Sequence, residues 1–251
     1  MWKTIALYDL KKFIRQPARV IGLTGTPILL WLILGSGFGD SFLFSTTAGT
    51  INYLQYFYPG TILLQLMFAA IFSTISLIDD RHNGNLKYLF ITPLSLNNIA
   101  IGKIIGGSLL AFLQALASML ILPLIGFSFD LNIFAISFLN LFILSIFFTS
   151  IGFALSTIFE TTQGYHAIMN LILVPLWLLS GSVFPFNSAP EILKLIIFLN
   201  PLHYAFNLIE AVWINYSSIN LSDLYLSYLV IIVVTIIFYL ISIYNLNRKK
   251  M

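Results

Sequence analysis

The chain has 251 residues, of which 8% are charged and 59% apolar, with a net charge of +3. A soluble domain carries about 25% charged residues, and a fold of this size cannot hide so much apolar surface from water. The composition excludes a soluble enzyme, a disordered chain and a nucleic-acid binder, and a cysteine count of 0 removes disulfides, thiolate chemistry and Cys-ligated metals.

What remains is an integral membrane protein, and its elements can be taken in chain order. Residues 1–16, closed by Pro17, read as one amphipathic elbow helix. Trp2, Ile5, Ala6, Leu7, Leu10, Phe13 and Ile14 share one face, and Thr4, Tyr8, Lys11, Lys12 and Arg15 share the other. Such a helix is expected in the membrane interface, with its basic face towards the headgroups. Lys3, Asp9 and Gln16 fit neither face. Because this basic cluster precedes a span of full length, the segment does not read as a cleaved signal peptide.

A bilayer core about 30 Å thick takes about 20 apolar residues per helix. Charge-poor runs predict spans at residues 20–39, 56–78, 104–127, 133–158, 167–184 and 224–245. None of them alternates with period two, which argues against a transmembrane barrel. The stretch 195–209 is shorter and contains Pro201 and His203, so it is expected to re-enter the membrane or lie at its surface. With six spans and an inside N-terminus, 11 of the 12 basic residues fall inside and Lys194 alone falls outside. A seventh span would carry Arg248, Lys249 and Lys250 outside, against the positive-inside rule. The expected fold is an all-α membrane protein: one domain over 1–251, an elbow helix, six spans, short re-entrant or extracellular helices between the fifth and sixth, and both termini cytoplasmic.

Reactive groups are few. Gly102-Lys103 does not complete a P-loop, because Asn97 stands where the leading glycine belongs. His82, His166 and His203 are too far apart in sequence to suggest a metal site. No carboxylate falls within a predicted span, which disfavours an ion-coupled carrier and a membrane-embedded hydrolase.

Two connecting segments are richer than a bare topology needs. After the second span comes Asp79-Asp80-Arg81-His82-Asn83-Gly84-Asn85-Leu86-Lys87-Tyr88-Leu89-Phe90-Ile91-Thr92-Pro93-Leu94-Ser95. Gly84 suits a turn, residues 85–90 read as a short helix with Leu86, Leu89 and Phe90 on one side, and Thr92-Pro93 ends it. After the fifth span, Leu179–Phe186 and Leu199–Ala205 are broken by Gly181, Pro185, Pro190 and Pro201. Broken helix at membrane depth must be covered by protein or line a watery cavity.

These residues resemble the type-2 ABC transporter permeases, the six-helix membrane subunits of ATP-driven exporters of the multidrug and lipid kind. The family pattern R-x-x-G-T-L-E-x-L-x-x-T-P-[LV]-S is matched by Arg81, Gly84, Leu86, Leu89, Thr92, Pro93, Leu94 and Ser95. Asn85 and Lys87 depart from it. Leu179–Pro185 is similar to L-S-G-x-x-[FY]-P, and Leu199–Ala205 to L-N-P-[LF]-x-Y-A. The resemblance covers essentially the whole chain. It implies a pair of permeases, expected as a homodimer, with two copies of a cytoplasmic ABC ATPase docked through the loop after the second span. Arg81, Gly84, Leu86, Tyr88, Leu89, Thr92 and Pro93 are the docking candidates, and Glu160 in the second cytoplasmic loop could touch the same partner. ATP and Mg would then sit on the ATPase, with no cofactor on this chain and no catalysis by it.

The uncharged polar residues Gln55, Gln65, Gln114, Asn140, Gln163 and Asn170 could line a path, although interhelical hydrogen bonding is their commoner use. Gly102/Gly106 and Ala111/Ala115 suggest close packing along the third span. A Phe-rich chain without a charged ring leans towards amphipathic, lipidic or drug-like cargo. The rival readings are a secondary carrier, which would show paired broken helices and intramembrane charges, and a membrane scaffold or assembly subunit.

Overall fold

The computed structural model describes residues 2–46, 49–85, 95–127, 130–186, 189–214, 216 and 220–250. The helices are α1 (Trp2–Ile14), α2 (Pro17–Phe38), α3 (Tyr53–His82), α4 (Leu96–Met119), α5 (Leu131–Ile158), α6 (Thr162–Trp177), α7 (Glu191–Leu199), α8 (Pro201–Trp213) and α9 (Leu221–Lys250). Among the described residues, six stretches are long and apolar enough to cross a membrane: Val20–Phe38, Tyr53–His82, Leu96–Ile125, Leu131–Ile158, Thr162–Ser182 and Leu221–Arg248. Helices α7 and α8 meet at 89° across the break at Asn200 and lie outside these six. The all-α membrane fold read from the sequence is the fold observed.

Helix ends follow local chemistry. Pro17 opens α2 at a position where its missing N–H is no loss. Asn52 and Gln55 form a reciprocal capping box at the start of α3, with Gln55 N 3.0 Å from Asn52 Oδ1 and Asn52 N 3.2 Å from Gln55 Oε1. Ser95, Asp130, Thr161 and Asn200 cap α4, α5, α6 and α8 more simply, each side chain accepting from one backbone N–H at the helix start. Gly84 has φ +75°, so the chain leaves α3 through a left-handed turn that favours glycine.

Helix α3 is the centre, with α2, α4 and α5 packed around it and α9 packed on α5. Polar side chains between these helices are used on backbone carbonyls. Trp31 Nε1 donates to Leu54 O at 2.8 Å, Tyr58 Oη to Ser118 O at 2.5 Å, and Tyr165 Oη to Gly152 O at 3.1 Å. Such bonds stabilise a helix pair by about 0.6 kcal/mol each in a bilayer.

Three features depart from the sequence reading. Strands Leu43–Thr46 and Gly49–Asn52 form an antiparallel hairpin between the first two spans, pairing Phe44 with Ile51. The second and third spans are longer than the apolar runs at 56–78 and 104–127, and they carry Asp80 and Lys103 inside the helices. Charged residues end an apolar run, but they do not end a helix when they are paired. The elbow buries only part of the expected apolar face, and adds Asp9 to it. Ile5, Ala6, Asp9 and Phe13 are buried while Leu7 and Ile14 are exposed, because α1 packs against α4.

Candidate functional site

One end of the bundle gathers α1, the last turn of α3, the first turns of α4 and α6, and the C-terminal ends of α5 and α9. The loop after the second span emerges from this end, and it is organised by charge. Lys103 Nζ on α4 lies 2.6 Å from Asp80 Oδ2 on α3 and 2.9 Å from Asp9 Oδ1 on α1. Lys12 Nζ on α1 reaches Asp80 Oδ1 at 3.0 Å. The chain Lys12–Asp80–Lys103–Asp9 therefore holds two cations and two anions, and three of the four side chains are at most 8% exposed. Buried charge is tolerated where it is paired and hydrogen-bonded in this way. Burial pushes the Asp9 carboxyl up and Lys103 pulls it back, with the upward effect the larger. Asp9 Oδ2 is buried and has no protein partner among the described residues.

The close approach of α1 to α4 is what brings Asp9 to Lys103. A Cβ on Gly102 would lie 2.8 Å from Ile5 Cβ and 2.9 Å from Trp2 O, and one on Gly106 would lie 3.0 Å from Ala6 O. The small-residue pair in the third span is thus the seat of the elbow helix, with Lys103 beside it.

A second set of bonds ties the same end to α5 and to the second loop. Arg81 Nη1 donates to Phe159 O at 2.9 Å, and Arg81 Nη2 lies 3.4 Å from Ser156 O. These are carbonyls at the end of α5, which the helix itself leaves open, and a cation is favoured there. His82 Nε2 lies 2.7 Å from Glu160 O, and Asn245 Nδ2 on α9 donates to Thr157 Oγ1 at 3.0 Å. Of the docking candidates, Arg81 is a brace between helices and Gly84 is the turn that starts the loop. Glu160 is exposed beside His82. Leu86, Tyr88, Leu89, Thr92 and Pro93 lie outside the described residues.

The opposite end closes over the broken fifth span. Leu178–Ser182 departs from α-helical geometry, with Gly181 at φ +93°, and leaves carbonyls free. Asn200 Nδ2 donates to Leu176 O and to Leu179 O at 2.5 and 2.9 Å, while its Oδ1 accepts from Leu202 N. His203 Nδ1 lies 2.9 Å from Ser180 O, and Trp177 Nε1 donates to Gly60 O at 2.8 Å. The two motifs Leu179–Pro185 and Leu199–Ala205 are therefore one structure. The second satisfies the carbonyls that the first exposes.

The polar candidates divide by use. Gln55 caps α3 and donates to Ile125 O at 2.9 Å. Gln65 donates to Gln114 O at 3.2 Å and accepts from Ser118 Oγ at 2.8 Å. Asn140 donates to Leu208 O at 2.6 Å and accepts from Tyr228 Oη. These three hold helices together. The Gln114 side chain is buried with both polar atoms unpartnered among the described residues, and Gln163 and Asn170 are exposed along α6.

Asp9, Lys12, Asp80 and Lys103 were not singled out by sequence reasoning. The available signal was an aspartate that fits neither face of the elbow, next to a small-residue motif flanked by a lysine.

The described residues thus form a six-span bundle with a clamped elbow, a braced loop stem at one end and a sealed hairpin at the other. Residues 2–214 match the family described as ABC-2 type transporter, and the chain belongs to it. It is 30% identical over 213 residues to the putative transport permease ycf38 of Cyanophora paradoxa, covering 84% of this chain and 73% of that protein. It is also similar to nodulation protein J of Sinorhizobium fredii, 26% identical over 196 residues, 77% of this chain and 73% of the relative. Nodulation protein J of Neorhizobium galegae is 24% identical over 212 residues, covering 83% and 75%. Members are non-catalytic membrane subunits whose partner ATPase hydrolyses ATP, so the chain is a permease subunit and not itself an enzyme.

Proposed function

We propose that the chain is the permease of an exporter, working as a homodimer with two copies of a cytoplasmic ATPase docked at the loop after the second span. ATP and Mg belong to that partner, and this chain carries no cofactor. The N-terminus, the loop over residues 83–95, Glu160 and the C-terminus face the cytoplasm, as the distribution of basic residues requires. The membrane is the plasma or inner membrane.

The observation that carries the reading is the charge chain at the stems of the docking loop. Asp80 closes α3 and Lys103 lies within the first turns of α4, so their contact ties the loop's two stems together. Asp9 and Lys12 extend the tie to the elbow, and Arg81 extends it to α5. A push on the loop by a closing ATPase then moves four helices as one body. Mechanical input of this kind needs no reactive group in the permease.

Leucine, isoleucine and phenylalanine dominate the sequence, which favours amphipathic, lipidic or drug-like cargo. The test is ATP-dependent export from cells or vesicles carrying the chain and its ATPase. Export that stops on removing this chain supports the reading. A membrane scaffold would leave flux unchanged.

A further inference from the structure

A cavity of about 460 Å³ opens at the end of the bundle opposite the docking loop. Its walls are the linker after the fifth span, the α7–α8 hairpin, the start of α3 and the first turns of α9. That volume lies in the range of about 300–1,000 Å³ typical of small-molecule sites.

The lining combines two chemistries. Carboxylates come from Glu210 on α8 and Asp223 on α9, and among the described lining residues there is no lysine or arginine. Glu210 is only partly accessible, and its carboxylate makes no hydrogen bond or ion pair among the described residues. Asp223 stands at the exposed rim, where its Oδ2 accepts from Asn220 Nδ2 at 2.9 Å. Among the described lining residues the one imidazole, His203, is already committed. His203 Nδ1 donates to the Ser180 carbonyl at 2.9 Å, its Nε2 lies 3.3 Å from Asn207 Nδ2, and burial disfavours a charge on the ring. Among the described lining residues the two carboxyl groups are therefore offset by no lysine or arginine.

Aromatic side chains supply the rest of the wall: Tyr56, Phe186, Phe198, Tyr204 and Phe206. Phe186 is stacked on the His203 ring with centroids 5.4 Å apart, which holds it in place at the mouth. Aromatic faces attract cations and bury apolar groups at once. A small hydrated ion has no use for five rings, and a neutral lipid has no use for an unpaired carboxylate.

We propose that this cavity binds an organic cation, a positively charged centre carried on an apolar body of small-molecule size. Glu210 is the counter-ion at the base, Asp223 draws the charge in from the rim, and the rings take the apolar body. A role for such a molecule as cargo rests on the export reading above; the binding itself does not.

The test is equilibrium binding of radiolabelled tetraphenylphosphonium to the purified full-length chain in nanodiscs of zwitterionic lipid. Tetraphenylborate, of nearly the same shape and opposite charge, is the competitor. The expected result is saturable binding of the cation that tetraphenylborate does not displace. E210Q should weaken it about tenfold, D223N by less because the rim is solvated, and the double variant should reduce it to background. Asp223 is exposed, so D223N keeps the fold and serves as the second variant if E210Q misfolds. Equal affinity for both probes, or undiminished binding in the double variant, would overturn the assignment. Binding is read without an ATPase, so this inference and the export reading can fail separately.

Discussion

Lys103 Nζ lies 2.6 Å from Asp80 Oδ2, although the two residues stand on opposite sides of the loop after the second span. The same ammonium reaches Asp9 Oδ1 at 2.9 Å on the elbow helix. One buried lysine thus joins three helices at the point where the loop leaves the membrane domain. Breaking a buried pair by removing one partner costs about 3–5 kcal/mol, because the remaining charge is left uncompensated. Lys103→Met should lower the thermal unfolding midpoint of the detergent-solubilised chain and reduce ATP-dependent export. The triple variant D9N/D80N/K103M, which removes the three buried charges and leaves only the half-buried Lys12, should recover part of the stability, because no uncompensated charge then stays buried. If the single and triple variants unfold alike, the charge chain is not what holds these helices.

The elbow is seated on glycine. Gly102→Val places atoms where Ile5 Cβ and Trp2 O now stand, at 2.8 and 2.9 Å from a Cβ. Helix α1 must lift, and Asp9 leaves Lys103. Limited trypsin digestion of sealed, inside-out vesicles should then cut at Lys11 and Lys12 at least about fivefold faster than in the parent chain, as expected for a segment whose local stability has fallen. Unchanged cleavage would mean that α1 does not depend on this contact.

Much of the fold was legible because span length and charge position are set by the bilayer. The capping residues Asn52, Ser95 and Thr161 sit at helix starts, where short polar side chains satisfy free N–H groups. The broken hairpin was readable from Gly181, Pro185, Pro190 and Pro201. The elbow's buried face was readable in part: Ile5, Ala6 and Phe13 lie on the apolar stripe and are buried, whereas Leu7 and Ile14 on the same stripe are exposed because contact with α4 covers only one side of it. Asp9 fits no apolar stripe, yet it is buried, since its partner lies 94 residues away at Lys103. The hairpin of Phe44 and Ile51 was hidden because four-residue strands leave little periodic signal. For the polar candidates, the sequence favoured interhelical hydrogen bonding over a path. Gln65 and Asn140 are used on carbonyls of neighbouring helices.

Gln163 and Asn170 are exposed on α6, near the exposed Leu171 and Ile172. Polar side chains on a lipid-facing surface are disfavoured, and a second permease copy would shelter them. Because the chain contains 0 cysteines, Asn170→Cys introduces a single reporter. Oxidation in native membranes should give a cross-linked dimer on denaturing gels, while a cysteine at exposed Ile236 on α9 should not. Monomer only from Asn170→Cys would count against pairing through the fifth span.

The claim at the centre of this account is that the loop after the second span engages an ATPase. A mild-detergent pull-down of the tagged chain from its native membranes, followed by mass spectrometry, tests it most directly. The account predicts a co-purifying ATPase at about equal stoichiometry, lost from Gly84→Asp and Leu89→Asp variants that still insert normally. An ATPase retained by both variants, or none recovered while the chain itself remains dimeric, would contradict it.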